Sequence, residues 1–141
     1  MRIMAIDYGD AHTGIAISDP TGFLAGFTTV IDAYRPDRVA EQVARLAREH
    51  GAERLVLGHP INMDGTRGPR SEKAQAMKRL LEEVTGLPVA LWDERRTTID
   101  AHQILFNSGK NARKRKKVVD AVAASLILEG YLTYLKSHPE G

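Results

Sequence analysis

The sequence predicts an α/β fold that joins an antiparallel meander to parallel crossover units. Three observations predict it. Short apolar runs crowd the first thirty residues with only turns between them. Two later apolar runs, RLVLG and PVALW, each follow an amphipathic stretch with helical period. The last long segment is apolar on nearly every side, as expected of a helix buried against a sheet. The resulting order is β-β-β-α-β-α-β-α-α, a layered α/β arrangement. No repeat, low-complexity tract or linker divides it, so residues 1–141 are expected to form a single domain.

Ile3 to Asp7 is apolar up to its final acid, and Gly9 follows, which reads as a buried strand ending at a polar edge. GIAIS, Gly14 to Ser18, is a second strand, closed by a turn at Asp19, Pro20 and Gly22. Phe23 to Ile31 is a third, and a meander is the simplest pairing. Pro36 and Asp37 open a helix whose apolar face carries Val39, Val43, Leu46 and Ala47, with Glu41 and Arg45 paired on the other side. Gly51 stands at its expected C-cap. Arg54 to Gly58 is apolar throughout, as in a strand covered on both faces. A glycine-rich loop from Gly58 to Pro69 leads to a helix over Ser71 to Thr85, with Ala74, Met77, Leu80, Leu81 and Val84 as its stripe and Gly86 as its stop. Pro88 to Trp92 is the next strand. Thr97 caps a helix reaching Phe106, Asn107 to Lys117 is a polar, basic loop, and Val118 to Leu135 is the last helix.

Bulk properties exclude several chemistries. At 43% hydrophobic and 27% charged residues the chain has an ordinary globular composition. Its net charge is only +2 although its pI is about 9.0, so placement of charge matters more than the total. It has no cysteine, which removes disulfides, zinc-thiolate sites, iron–sulfur clusters and thiol nucleophiles. The apolar start is too short for a signal-peptide core, and no stretch approaches the ~20 apolar residues of a membrane span. The expectation is a cytoplasmic protein with no membrane partner. Walker A, strand-linked GxGxxG and GxSxG patterns are absent from the sequence.

The acids carry the chemistry. Asp7 ends the first strand, and Asp93 and Glu94 follow PVALW. Ligands of open α/β sheets gather beyond the carboxyl ends of parallel strands. Asp120 falls in the first turn of the last helix, among Val118, Val119, Ala121 and Val122, where a carboxylate is costly unless paired or metal-bound. Taken singly, each has a plainer explanation. Asp7 could be a turn residue, Glu94 a partner of Arg95 or Arg96, and Asp120 a charge favoured by the helix dipole. Taken together, clustered carboxylates repel, and a hard cation such as Mg2+ or Mn2+ resolves the repulsion with oxygen ligands. Position alone leaves Asp93 and Glu94 both open as the second ligand.

Two further features adjoin these acids. In LGHPINMDGT, the residues Gly58, Pro60, Asn62, Asp64 and Gly65 form a tight loop directly after a strand, able to offer backbone N–H groups to a phosphate or simply to connect two elements. In KNARKRKK, the cations Lys110, Arg113, Lys114, Arg115, Lys116 and Lys117 make a positive run just before Asp120, suited to a phosphate backbone without sequence preference. Arg95, Arg96, Arg67 and Arg70 extend it, arginine being suited to bidentate phosphate contact. His12, His59 and His102 are not at metal-ligand spacing, and a structural role is expected for His59.

Four segments, AIDYGDAHTGIAISD, LVLGHPINMDGT, LWDERRTT and KKVVDAVAASLILEGYL, resemble in order and spacing the motifs of the YqgF family, also called RuvX, of the RNase H-like superfamily. The resemblance implies an RNase H-like fold, a five-stranded mixed sheet with three N-terminal antiparallel strands, flanked by helices. It also implies that the family's three carboxylates fall on Asp7, Glu94 and Asp120. The function implied is a Mg2+- or Mn2+-dependent nuclease. RNA is the favoured substrate, through maturation of the 5′ end of pre-16S ribosomal RNA. Resolution of Holliday junctions in DNA is the second possibility, and a catalytically silent RNA-binding or ribosome-assembly factor the third. A monomer or a homodimer is expected, and two symmetric cuts in a junction would need the dimer.

Overall fold

The computed structural model describes residues 2–9, 11–19, 25–59, 68–93 and 112–137. Within them the chain runs β1 (Ile3–Asp7), β2 (His12–Ser18), β3 (Ala25–Asp32), α1 (Pro36–His50), β4 (Arg54–His59), α2 (Pro69–Thr85), β5 (Val89–Asp93) and α3 (Ala112–Ser137). The strands form one five-stranded mixed sheet in the order β3-β2-β1-β4-β5. β1, β2 and β3 are the expected antiparallel meander, while β1, β4 and β5 run parallel. The carboxyl ends of β1, β4 and β5 therefore lie along one sheet edge, where α1 and α2 also begin.

Alternation along the strands assigns each face its layer. Met4 and Ile6 of β1, Ile15 and Ile17 of β2, and Leu55 and Leu57 of β4 pack with Val39, Ala40 and Val43 of α1 and with Ala74, Met77 and Leu81 of α2. Ile3 and Ala5 of β1, Ala16 of β2 and Val56 of β4 turn the other way, onto Ala124, Ile127, Leu128, Tyr131 and Leu132 of α3. These central strands are apolar at nearly every position because both faces are covered.

Local chemistry sets the ends. Pro36 and Pro69 occupy first-turn positions that need no N–H, and Gly51 and Gly86 close the two helices at φ 68° and 70°, a left-handed conformation that costs glycine little. The residue left over between β2 and β3 is Gly26, where pairing shifts from Ile17↔Phe27 to Ser18↔Ala25, and the buried Ser18 Oγ accepts a 2.9 Å bond from the Ile3 N–H.

The structure corrects several expectations. β2 begins at His12, two residues early, because His12 pairs with Asp32 across the sheet, Nδ1 to Oδ1 at 2.6 Å. Arg45 pairs with Glu49 at 3.5 Å, one turn on, instead of with Glu41. In α2 Val84 is exposed, while Thr85 turns inward, donating from Oγ1 to the Leu81 carbonyl and accepting from the Leu87 N–H. The largest difference is at α3. It starts at Ala112, so Arg113 to Lys117, expected in a loop, lie in its opening turns. Alanine, arginine and lysine are strong helix formers, and here that propensity outweighs repulsion among the charges. The helix expected over Thr97 to Phe106, and Lys110, lie outside the described residues, as does the expected β3 start at Phe23.

Candidate active site

Asp7 is the last residue of the central strand. It shares the parity of Ile3 and Ala5, so it leaves the sheet on the α3 face. Its partner on β2 is Gly14, and continuing the parallel register past Ile6↔Leu57 brings Gly58 of β4 level with it on the other side. Both lateral neighbours on that face therefore lack side chains. Asp7 itself is half-buried there, flanked by two glycines. Beyond it the chain reverses tightly. A Cβ on Gly9 would collide with the backbone oxygen of His12, so that close approach requires glycine.

Asp93 ends β5 at the same edge but on the opposite face. Val89 and Leu91, with which it shares parity, belong to the α1–α2 core, whereas Ala90 and Trp92 belong to the α3 core. Its register partner is His59. His59 is buried and its Nε2 lies 2.6 Å from Ser71 Oγ in the first turn of α2; Gln75 Nε2 also donates to that hydroxyl at 3.3 Å. The His59–Ser71 bond ties the end of β4 to the start of α2, the two ends of the glycine-rich connection, and the Gln75 bond fixes the Ser71 hydroxyl within α2. This is the structural role expected for His59.

Glu94, Arg95 and Arg96, and Pro60, Asn62, Asp64, Gly65 and Arg67 of the loop, lie outside the described residues. Position 120 lies in α3, more than two turns from its start. The dipole of a helix acts within its first turn, so the plainer explanation of Asp120 as a dipole-favoured charge no longer applies. Among the described residues no three His, Asp or Glu side chains gather as metal ligands; of the three acids expected to do so, Asp7 is the one whose side chain is described. Reading the sequence missed Tyr8 and Tyr34 at this edge, whose aromatic rings carried no pattern signal, and Ser71, which it treated only as a helix start.

Comparison with known proteins follows the same lines. The family model described as "RuvX: Holliday junction resolvase" matches residues 1–134. A "Putative pre-16S rRNA nuclease" of Halothermothrix orenii is 42% identical over 134 residues, 95% of this chain and 96% of the relative. A protein of the same name from Bacillus licheniformis is 42% identical over 139 residues, 97% of this chain and all of the relative. T. thermophilus RuvC in complex with a Holliday junction superposes with a TM-score of 0.63 at 15% identity, covering 97% of this chain and 96% of that one. Fowlpox virus resolvase with Holliday junction DNA gives 0.56 at 13% identity, covering 98% and 99%. These structures establish an RNase H-like fold.

Proposed function

The chain belongs to the RuvX family, and we propose that it is a nuclease that hydrolyses phosphodiester bonds with Mg2+ or Mn2+, its substrate an RNA and its role the 5′-end maturation of pre-16S ribosomal RNA. One observation carries the metal reading. Asp7 ends the central strand at the carboxyl edge, between two glycines, on the face that α3 covers.

Asp120 belongs to that same α3. Arg54 Nη1, at the start of β4, donates to Tyr131 Oη at 3.2 Å, which anchors the later turns of α3 near the amino edge. We place position 120, about 16 Å back along the axis at 1.5 Å per residue and roughly the length of β4, toward the carboxyl edge. Asp93 faces the opposite layer. That orientation of Asp93, away from Asp7, favours its sequence neighbour Glu94 as the second ligand.

The donor set Asp7, Glu94 and Asp120 is all oxygen, which fits a hard divalent ion. Such an ion, when bound, activates water for attack on phosphorus and stabilises the departing oxygen. The protein's own residues would hold the ion, and the cationic opening of α3, Arg113 to Lys117, would meet the backbone charge. Arg95, Arg96 and Lys110 would add to that attraction, and Pro60 to Gly65 would contact the strand next to the cut. A ribosomal-precursor substrate places the protein in the cytoplasm, acting as a single domain.

The experiment is cleavage of labelled pre-16S RNA by wild type and by Asp7→Asn. Loss of cleavage with an unchanged circular dichroism spectrum is expected; full activity of the variant would sink the mechanism. The family description favours a second reading, the same chemistry on four-way DNA junctions. Two symmetric cuts would then need a homodimer, because one site serves one strand. Paired nicking of a labelled junction with no cutting of the RNA would establish that alternative.

A further inference from the structure

On the α1–α2 side of the carboxyl edge lies a cavity of about 420 Å³ lined by Tyr8, Tyr34, Pro36, Lys73, Ala76 and Met77. That volume is in the range of sites for small organic groups, roughly 300–1,000 Å³. Tyr8 follows Asp7 directly, and alternation sends it to the opposite face, where it packs against the α1–α2 core. The end of β1 is thus a fork, with Asp7 toward α3 and Tyr8 toward this cavity. Tyr34 stands in the β3–α1 turn and is 82% exposed, a large aromatic residue that folding leaves in water. Met77 is buried beneath, and Lys73, in the opening turns of α2, brings a positive charge to the rim.

We propose that this cavity takes an unpaired nucleobase of the substrate strand, stacked on Tyr34 and beside Tyr8, with the adjoining phosphate facing Lys73. The proposal rests on the nuclease reading of the Asp7 edge and adds a substrate class to it: single-stranded rather than base-paired nucleic acid. The chemistry of the lining selects that occupant. Two phenol rings and a proline around an apolar floor match the flat face of a heterocycle, and the ammonium matches the charge that always accompanies a nucleotide. Position selects it as well. A strand whose phosphate lies at Asp7 has its neighbouring residues within reach of Tyr8, the residue just past the end of β1. Stacking accepts any base, so the site reads strandedness and not sequence. A base inside a duplex is already stacked and cannot enter.

The test is fluorescence anisotropy of the full chain with a short labelled single-stranded RNA, in EDTA so that binding is read without cleavage, and with the same RNA annealed to its complement. Tyr34→Ala should weaken single-strand binding by roughly 5- to 150-fold, the range for loss of one base–aromatic stack. Tyr34→Phe should keep wild-type affinity, because the ring and not the hydroxyl makes the stack. Lys73→Gln should weaken binding and reduce the salt slope by about 0.7, one single-strand phosphate contact. Duplex binding should change less than about twofold in Tyr34→Ala, and Tyr134→Ala, an exposed aromatic on α3, should leave single-strand binding unchanged. No measurable single-strand binding by wild type, unchanged affinity in Tyr34→Ala, or equal weakening for duplex would overturn the proposal. Failure of the nuclease reading is separate, since it is read from cleavage by Asp7→Asn and not from divalent-free binding.

Discussion

Asp7 and Asp93 end parallel strands at the same sheet edge but leave it on opposite faces, Asp7 with Ile3 and Ala5 toward α3, Asp93 with Val89 and Leu91 toward α1 and α2. Substitutions should separate Asp93 from the site. Glu94→Gln should lower the cleavage rate about a thousandfold, in line with the several kcal/mol that a metal ligand set supplies to the transition state. Asp93→Asn should stay within about tenfold of wild type, the lower end for groups beyond the direct ligands. The reverse ranking in single-turnover rates would return Asp93 to the ligand set.

Metal binding has a stability signature that does not depend on finding the right substrate. A ligand at a hundred times its Kd stabilises the folded state by about 2.7 kcal/mol, a Tm rise of roughly 8 °C for a chain of this size. Wild type should show that rise with Mn2+ and lose it in EDTA. Asp7→Asn should lose most of the rise while its metal-free Tm stays level or increases, because one member of a repelling carboxylate cluster is gone. A rise of equal size in Asp7→Asn would count against Asp7 as a ligand.

Gly9→Ala tests the turn that follows Asp7. The new methyl collides with the His12 backbone oxygen, which no side-chain rotation relieves. A cost of about 1–3 kcal/mol is expected from the forced backbone shift, with disproportionate loss of cleavage because Asp7 is displaced. Denaturant unfolding and activity read the two effects separately; wild-type values for both would show that the turn relaxes freely.

Ser71→Ala removes the hydroxyl that faces buried His59 Nε2 at 2.6 Å and leaves the imidazole nitrogen without that partner. The expected cost is about 1–3 kcal/mol, the penalty for a stranded buried polar group. Replacing both members, His59→Leu with Ser71→Ala, should recover part of it, since the imidazole nitrogen is then gone and only part-buried groups such as the Gln75 amide lose an acceptor. A double variant less stable than the sum of the two single changes would show that His59 serves more than the Ser71 bond.

Much of the molecule was legible in the chain. Pro36, Gly51 and Gly86 mark helix ends through their own backbone preferences, and apolar runs bounded by turn residues mark β1, β4 and β5. The strand-terminal acids Asp7 and Asp93 marked the carboxyl edge for the same local reason. Helix α3 was legible in kind but not in extent. The charges of Arg113 to Lys117 read as loop, whereas their propensity is helical, and that difference moved Asp120 from a first turn to the interior of a helix.

What the sequence by itself determined is the kind and order of the described elements and the acids standing at strand ends, because these follow from short-range propensity, hydrophobic period and the family's motifs. What only the tertiary structure decided is which acid faces which layer. Alternation separates neighbouring residues along a strand, but strands as apolar as IMAID and VALWD label neither face as inner or outer. The packing of α3 against Ile3, Ala5, Val56, Ala90 and Trp92 supplies that label, and the same packing sets Tyr8 apart from Asp7 at the fork of β1.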